Sequence, residues 1–167
     1  MEQDTSNLTA EWETGPSEWG AHASFDQLLA ANVNPDTGLA TDFLNLFNEY
    51  IMLAELVEDG SMEHDVLSDW LPIDYETHFL RSSFAGAEIV INAYRNLLVD
   101  TRKKFEAAIA ALIANIMIHQ ENLAPKPGLM EEIQLQRDAV AAIINQPTPA
   151  KPNSCENTQA DIDALFD

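Results

Sequence analysis

The chain has 167 residues, 46% of them hydrophobic, which is enough to bury the core of one domain with tails. Its 28 acidic residues against 8 basic ones give a formal net charge of −20. This balance opposes binding to nucleic-acid phosphates and to anionic membrane surfaces, because both require clusters of Lys and Arg. The only cysteine, Cys155, excludes an intramolecular disulfide and a thiolate metal cluster.

The acidic charge is concentrated in the first half of the chain. Residues 1–80 contain 17 acidic residues and no Lys or Arg, since Arg81 is the first basic residue. The first residues lack the positive charge and the apolar run of a signal peptide. The most apolar stretch, Ala107 to Ile118, has about 12 residues, whereas a bilayer span needs about 20. We therefore expect a cytoplasmic protein without membrane insertion.

The chain is predicted to begin with a flexible acidic arm over residues 1–23, which are polar and contain isolated glycines and tryptophans. Helical periodicity starts at Phe25, and Ser24 is a typical N-cap residue. The first helix is expected to reach about Asn32, because the Asn-Pro-Asp sequence of residues 34–36 favours a turn.

A second helix is predicted to begin at Thr41, which can cap it, and to end near Asp59, before the stop residue Gly60. Apolar residues recur along it at spacings of three and four, which is typical of a helix that faces a bundle core. These residues are Phe43, Leu46, Phe47, Tyr50, Leu53, Ala54, Leu56 and Val57.

The middle of the chain contains the longest periodic run. Ser61 is expected to cap a short helix that ends at Trp70, and residues 73–80 are compatible with the start of the next helix or with a loop. From about Phe84 to Leu123 the pattern predicts one helix roughly 50–60 Å long. Because such a length exceeds a compact monomer of this size, it favours a homodimer formed through this helix.

A last core helix is predicted from Leu129 to about Asn145, and the short loops favour antiparallel neighbours. Residues 24–145 therefore predict an all-α fold, a helical bundle with one long helix. Residues 146–157 then contain three prolines and no periodicity, which predicts an extended, semi-rigid linker.

The residues after this linker, 158–167, form a short amphipathic pattern. Thr158 and Asp161 have the spacing of a capping box, and Ile162, Leu165 and Phe166 share one helical face. A ten-residue helix is marginal alone in water, so it is expected to fold on a partner, in the helix-in-groove mode. The alternative is a terminal helix that folds back onto its own domain.

The segment Thr-Gln-Ala-Asp-Ile-Asp-Ala-Leu, Thr158 to Leu165, resembles the Ser-Gln-x-Glu-Ile-Asp-Ala-Leu peptide of the flagellar motor switch protein FliM. In that family the peptide is N-terminal and binds the phosphorylated chemotaxis receiver CheY. The resemblance implies that Thr158, Gln159, Asp161, Ile162, Asp163, Leu165 and Phe166 bind a CheY-like response-regulator receiver. Ile162 and Leu165 would be the apolar anchors, Phe166 would replace a second leucine, and the two aspartates would face basic residues around the receiver's groove.

The layout also resembles the CheY phosphatase CheZ, which has a long helical hairpin, a flexible linker and a C-terminal receiver-binding peptide. The catalytic signature of that family, an acid and a Gln within an Asp-x-Thr-Gly-Gln context, is absent. Receiver phosphatases need an acid and an amide on one helical face. The candidate pairs at that spacing are Glu88 with Asn92 and Glu132 with Gln136.

Half of the basic charge lies in one short stretch, at Arg95, Arg102, Lys103 and Lys104. These residues are expected either to pair with acidic residues from 40–76 across the bundle or to form a docking patch for an acidic partner. The four histidines are isolated in the sequence, so we predict no metal site and no cofactor. His119 is expected to interact with the dipole of its helix.

The sequence favours a non-enzymatic adaptor of chemotaxis or another two-component pathway, which presents a tethered helix to a CheY-like receiver. Two alternatives stay open. One is a CheZ-like receiver phosphatase that uses one of the acid–amide pairs. The other is an acidic helical chaperone or assembly factor of a secretion or flagellar apparatus, which would bind its client through the core.

Overall fold

The computed structural model describes residues 23–122 and 126–146. Within these ranges the chain forms six α-helices and two 3₁₀ helices, and the predicted all-α class is confirmed. The α-helices are α1 (Phe25–Ala30), α2 (Leu44–Glu58), α3 (Tyr75–Arg81), α4 (Ala87–Arg95), α5 (Val99–Glu121) and α6 (Leu129–Ile144). The 3₁₀ helices span Thr41–Phe43 and His64–Asp69.

The first helix begins as predicted, with a complete capping box. The Ser24 hydroxyl accepts a hydrogen bond from the Gln27 N–H, and the Gln27 side chain accepts one from the Ser24 N–H. After α1 the chain turns back on itself through an antiparallel bridge between Val33 and Ala40. Gly38 in this turn has φ +71°, a conformation that side chains rarely adopt, so the turn depends on a glycine.

The second helix begins later than predicted. Thr41 opens a 3₁₀ turn instead of capping α2, because Ala40 N–H donates to the Tyr75 hydroxyl and ties this corner into the core. The Gly60 stop is confirmed, since α2 ends at Glu58 and Gly60 has φ +81°. The predicted inward face of α2 is buried through Phe43, Phe47, Tyr50 and Ala54.

The helix boundaries between α2 and α4 could not be predicted from the sequence. Ser61 does not cap a helix; the 3₁₀ helix starts after Glu63, which provides no side-chain cap. The ambiguous residues 73–80 contain the start of α3, which Asp74 caps through a hydrogen bond from the Thr77 N–H.

The single helix predicted over residues 84–123 is wrong. The chain breaks after Arg95, and Leu98 has extended backbone with ψ 139° before α5 starts. The break is stabilised because the Arg102 guanidinium donates to the carbonyls of Tyr94 and Arg95, which end α4. The longest helix is therefore α5, with 23 residues and a length of about 35 Å, so helix length no longer argues for a homodimer.

Helices α5 and α6 form an antiparallel hairpin, as the short connection predicted. The Asn115 amide donates to Gln136 Oε1 across their interface. This contact sets the register of the pair: the start of α6 lies beside the end of α5, and the end of α6 lies beside the first turns of α5.

The centre of the bundle is an aromatic cluster. The ring of Phe43 lies within 5.0–6.1 Å of the rings of Phe47, Tyr75 and Phe105, and each of these side chains is at most 3% exposed. Offset and edge-to-face contacts of this kind add to the hydrophobic stabilisation. The cluster joins α2, α3 and α5, and so holds the N-terminal turns of α5 in place.

Three predictions from the sequence concern residues outside the described ranges: the acidic arm apart from its last residue, Ala23, the linker beyond Gln146, and the segment 158–167. Among the helices that are described, none has both the length and the apolar character needed to cross a bilayer.

Candidate functional site

The first candidate site is the basic cluster between α4 and α5, and the structure divides its residues between two roles. Arg95 forms a bidentate pair with the Glu76 carboxylate, with Nη2 to Oε2 at 2.6 Å. Arg95 holds the pKa of Glu76 below its usual value, mainly through these hydrogen bonds. Of the four basic residues, Arg95 therefore makes the pairing with residues 40–76 that was one of the two predicted alternatives.

Arg102 has a structural role. Its guanidinium lies 5.0 Å from the centre of the Tyr94 ring and donates to the carbonyls at the end of α4. Burial raises the pKa of the Tyr94 hydroxyl, and that hydroxyl donates to Glu106 at 2.8 Å. Arg102 is therefore committed to holding the α4–α5 corner.

Lys103 and Lys104 are exposed, and no ion pair among the described residues involves either of them. They lie beside two apolar residues at the start of α5, Leu98 and Val99, which are 78% and 65% exposed. Further along the same side of the helix the exposed residues include Ala107 and Ala111, and two exposed carboxylates, Asp100 and Glu106, lie beside the lysines. We call this region the α5 surface, and it consists of Leu98, Val99, Lys103, Lys104, Ala107 and Ala111.

The α5 surface lies at the end of the bundle from which the C-terminal segment departs. The last helical residue, Ile144, is fully buried, and its carbonyl accepts hydrogen bonds from Asn34 at 3.0 Å and Thr37 at 2.6 Å. The same turn reaches the α4–α5 corner, because a Cβ placed on Gly38 would lie 2.9 Å from Leu97 Cδ2. One turn thus contacts both the end of α6 and the residue before the α5 surface.

A second candidate site lies at the opposite end of the α5–α6 hairpin. A cavity of about 340 Å³ is present there. Its walls combine apolar and polar side chains: Ala54, Val57, Glu58, His64, Leu67, His119, Lys126, Pro127, Gly128 and Met130.

Two of these wall residues are histidines that the sequence placed 55 positions apart and gave no reason to connect. His119 is 5% exposed, and its Nδ1 lies 2.7 Å from the Tyr50 hydroxyl. Burial, and then the nearby His64, lower the pKa of His119, so its ring is neutral near pH 7 and is not the cationic dipole partner that the sequence predicted. His64 Nε2 is buried without a hydrogen-bond partner.

This cavity contains polar groups but no complete catalytic or metal set. No group of three or more His, Cys, Asp or Glu side chains suited to a metal ion occurs in residues 23–122 and 126–146. The burial of Tyr50 raises the pKa of its hydroxyl, so this group remains protonated and serves as a hydrogen-bond partner. No local sequence pattern connects His64 with His119, because only the packing of the second 3₁₀ helix against α5 brings their rings together.

The acid–amide pairs have different surroundings. Gln136 is half-buried and accepts the hydrogen bond from Asn115 across the α5–α6 interface, so its amide is engaged inside the bundle. Glu88 and Asn92 are both exposed on α4. The pair that includes Gln136 is therefore poorly placed to position a water molecule on a receiver.

The remaining predicted binding residues, from Thr158 to Phe166, lie outside the described residues, so their site rests on the sequence resemblance alone. No protein-family model, curated protein or solved structure matches this chain.

Proposed function

We propose that this protein is a non-enzymatic adaptor that presents residues 158–167 to a CheY-like response-regulator receiver. The observation that carries the proposal is the likeness of Thr158 to Leu165 to the receiver-binding peptide of FliM. Ile162 and Leu165 would enter the receiver's groove as apolar anchors, and Phe166 would extend that contact. Asp161 and Asp163 would face its basic rim.

The arrangement of the bundle supports a presenting role. The segment follows a proline-containing stretch, 146–157, which favours extended chain of about 3.1 Å per residue and hence a reach of roughly 37 Å. The stretch starts from a fixed point, because the Ile144 carbonyl is bonded to the turn at residues 34–37. A fixed bundle with a long tether allows the segment to search for its target while the core stays in place.

The test is a calorimetric titration of the full chain with a CheY-type receiver. The receiver is used in its unphosphorylated form and with beryllofluoride as the phosphoryl mimic. We expect binding that strengthens in the activated form, as the resemblance implies. Equal binding to both forms, or none to either, would contradict the receiver as the target.

Two full-chain variants with equal added charge locate the contact. Ile162→Asp with Leu165→Asp places charges on the proposed anchor face, and we expect the affinity to fall by about tenfold or more, because two buried apolar contacts are lost. Ala160→Asp with Ala164→Asp adds the same charge to the opposite helical face and should bind within about threefold of the parent. Equal losses for both variants would contradict docking through one face.

Receiver dephosphorylation measured with and without the protein separates an adaptor from a phosphatase. We expect the rate to be unchanged. If it rises and Asn92→Ala restores the basal rate, the adaptor assignment is wrong and the exposed pair on α4 is catalytic.

A further inference from the structure

We propose that the acidic segment 158–167 also docks on the α5 surface of its own chain, and that the docked segment cannot bind a receiver at the same time. The docking stands on the described surface and on the composition of the segment. Its role in regulating receiver binding rests on the proposed function.

The α5 surface places exposed apolar side chains next to exposed lysines. Leu98 and Val99 are among the most exposed large apolar side chains of the described chain, at 78% and 65%. Lys103 lies one helical turn after Val99 on the same side of α5, and Lys104 lies beside it. An occupant that fits has apolar side chains on one helical face and carboxylates at its edges.

Lys103 and Lys104 are complementary in charge to the acidic segment 158–167 of the same chain. The only adjacent pair of Lys or Arg residues not already committed to the fold is Lys103–Lys104, and residues 1–80 contain no basic residue. The segment 158–167 carries three aspartates, no Lys or Arg, and the apolar residues Ile162, Leu165 and Phe166. Residues 98–111 contain three basic and two acidic residues, so an acidic segment meets less repulsion there than on the chain as a whole, whose net charge is −20.

The chain leaves the bundle close to the α5 surface. The antiparallel register of α5 and α6 places the end of α6 beside the first turns of α5. The turn that binds the Ile144 carbonyl also contacts Leu97, the residue before the α5 surface. A tether of 12 residues that starts there has a reach of roughly 37 Å, which is long enough to bring the segment to any point of α5, since α5 is about 35 Å long.

The alanines of α5 complete the fit. Ala107 and Ala111 are exposed and follow Lys103 along the helix, and they lack the long side chains that would keep a second helix at a distance. A docked segment can therefore approach α5 closely at Ala107 while Asp161 and Asp163 lie near the ammonium groups of Lys103 and Lys104. A tethered segment has an effective concentration near the millimolar range, so a contact with a Kd below about a millimolar is occupied in most molecules.

The same apolar face would serve both contacts. Ile162 and Leu165 are the anchors expected for the receiver, and they are also the residues that would cover Leu98 and Val99. Docking on α5 therefore lowers the fraction of chains that can bind the receiver, and the apparent affinity falls by that fraction.

The experiment uses Cys155, the only cysteine of the chain, as a native attachment point for a nitroxide label. In the full-length ¹⁵N-labelled protein we expect the label to broaden the amide signals of residues 98–111. Ile162→Asp with Leu165→Asp should remove this broadening, whereas Ala160→Asp with Ala164→Asp should retain it. Broadening that is absent in the parent, or unchanged by the anchor variant, would overturn the proposal.

Charge reversal on the surface gives the reciprocal test. Lys103→Glu with Lys104→Glu should remove the broadening, while the control Arg81→Glu with Lys126→Glu, which changes two other exposed basic residues by the same charge, should retain it. A mixture of spin-labelled unenriched protein with unlabelled ¹⁵N protein reports contacts between molecules. Broadening in that mixture alone would overturn docking within one chain and assign the surface to a second copy.

Receiver binding separates this proposal from the proposed function. If both hold, the Lys103→Glu, Lys104→Glu variant should bind the receiver about three- to tenfold more tightly than the parent, because the competing contact is lost. Nitroxide broadening without any receiver binding would support docking and overturn the receiver. Receiver binding that the charge reversal leaves unchanged would overturn the competition.

Discussion

The two ends of α5 depart in opposite ways from the usual burial of apolar side chains and exposure of polar ones. At its C-terminal end a polar residue, His119, is buried and bonded to Tyr50 beside a cavity. At its N-terminal end apolar residues, Leu98 and Val99, are exposed beside two lysines that form no ion pair with the described part of the chain. The buried polar group is explained by the hydrogen bond it makes in the folded core, whereas the exposed apolar side chains are the ones that the proposed docking of segment 158–167 would cover.

The inward and outward sides of the first turns of α5 also differ in burial. Phe105 is fully buried in the aromatic cluster, whereas Val99 and Lys103, on another side of the same turns, are exposed. The inner side therefore carries the stability of this end and the outer side is free to make contacts.

The largest effect is expected from Phe105→Ala. The change removes a fully buried ring that touches Phe43, Tyr75 and Tyr94, and should lower the free energy of unfolding by about 3–5 kcal/mol. Urea denaturation measures this, with Leu98→Ala as the control, which should stay within about 0.5 kcal/mol. Similar losses for both variants would show that the outer side also carries stability.

At the other end of α5, Tyr50→Phe is expected to cost about 1–3 kcal/mol, because the buried Nδ1 of His119 loses its hydrogen-bond partner. The control is Tyr94→Phe, whose hydroxyl bonds to the exposed Glu106, so that water can replace the lost bond. Denaturation of both variants tests the contrast. If Tyr94→Phe lowers the free energy of unfolding as much as Tyr50→Phe does, the expected difference between the two hydrogen bonds is wrong.

A smaller effect is expected where α6 ends. Thr37→Val keeps the shape of the side chain but removes the hydroxyl that donates to the Ile144 carbonyl, and should cost about 0.5–1.5 kcal/mol. Hydrogen exchange of the last turn of α6 should accelerate more than that of its first turn. Uniform acceleration along α6 would mean that this bond does not fix the departure point of the linker.

The smallest effect near neutral pH is the titration of the buried His119 and the half-buried His78. Burial lowers the folded-state pKa of His119 and His78 from 6.5, so the unfolded chain takes up protons first on acidification. Their contribution to stability is complete above about pH 6.5 and is lost as the pH falls through 6.5 toward the folded-state pKa values. The free energy of unfolding should therefore decrease between pH 7.5 and 5.5.

His119→Gln assigns this pH dependence, because Gln retains a polar partner for Tyr50 but does not titrate. We expect a shallower slope in this variant, with a remainder from His78. The lowered pKa values of Asp59, Asp74 and Glu76 act only below this window, since these carboxylates already titrate at more acidic pH. An unchanged slope would contradict the assignment to His119.

Local patterns predicted much of the helical structure. Ser24, Gly60 and the apolar spacing of α2 act through neighbouring residues, so their roles could be read from the chain. The break between α4 and α5 could not, because it depends on Arg102 reaching back to the carbonyls of Tyr94 and Arg95. Periodicity continued through the break, since Leu97 and Leu98 extend the apolar pattern without extending the helix.

The candidate sites show the same division. The basic stretch 95–104 was visible in the sequence, but only the fold separated Arg95 and Arg102, which hold the corner, from Lys103 and Lys104, which form no ion pair within residues 23–122 and 126–146. The cavity with His64 and His119 had no local signal at all, because its walls come from four separate stretches of the chain.

The sequence by itself determined the all-α class, the acidic character, the Ser24 cap and the Gly60 stop, because each of these depends on residues close together in the chain. The likeness of residues 158–165 to a receiver-binding peptide is likewise a local feature of the sequence. The tertiary structure decided which bases pair within the described residues, where the long helix breaks, and that the end of α6 lies close to the exposed start of α5. These features arise from contacts between distant residues, which composition and periodicity do not specify.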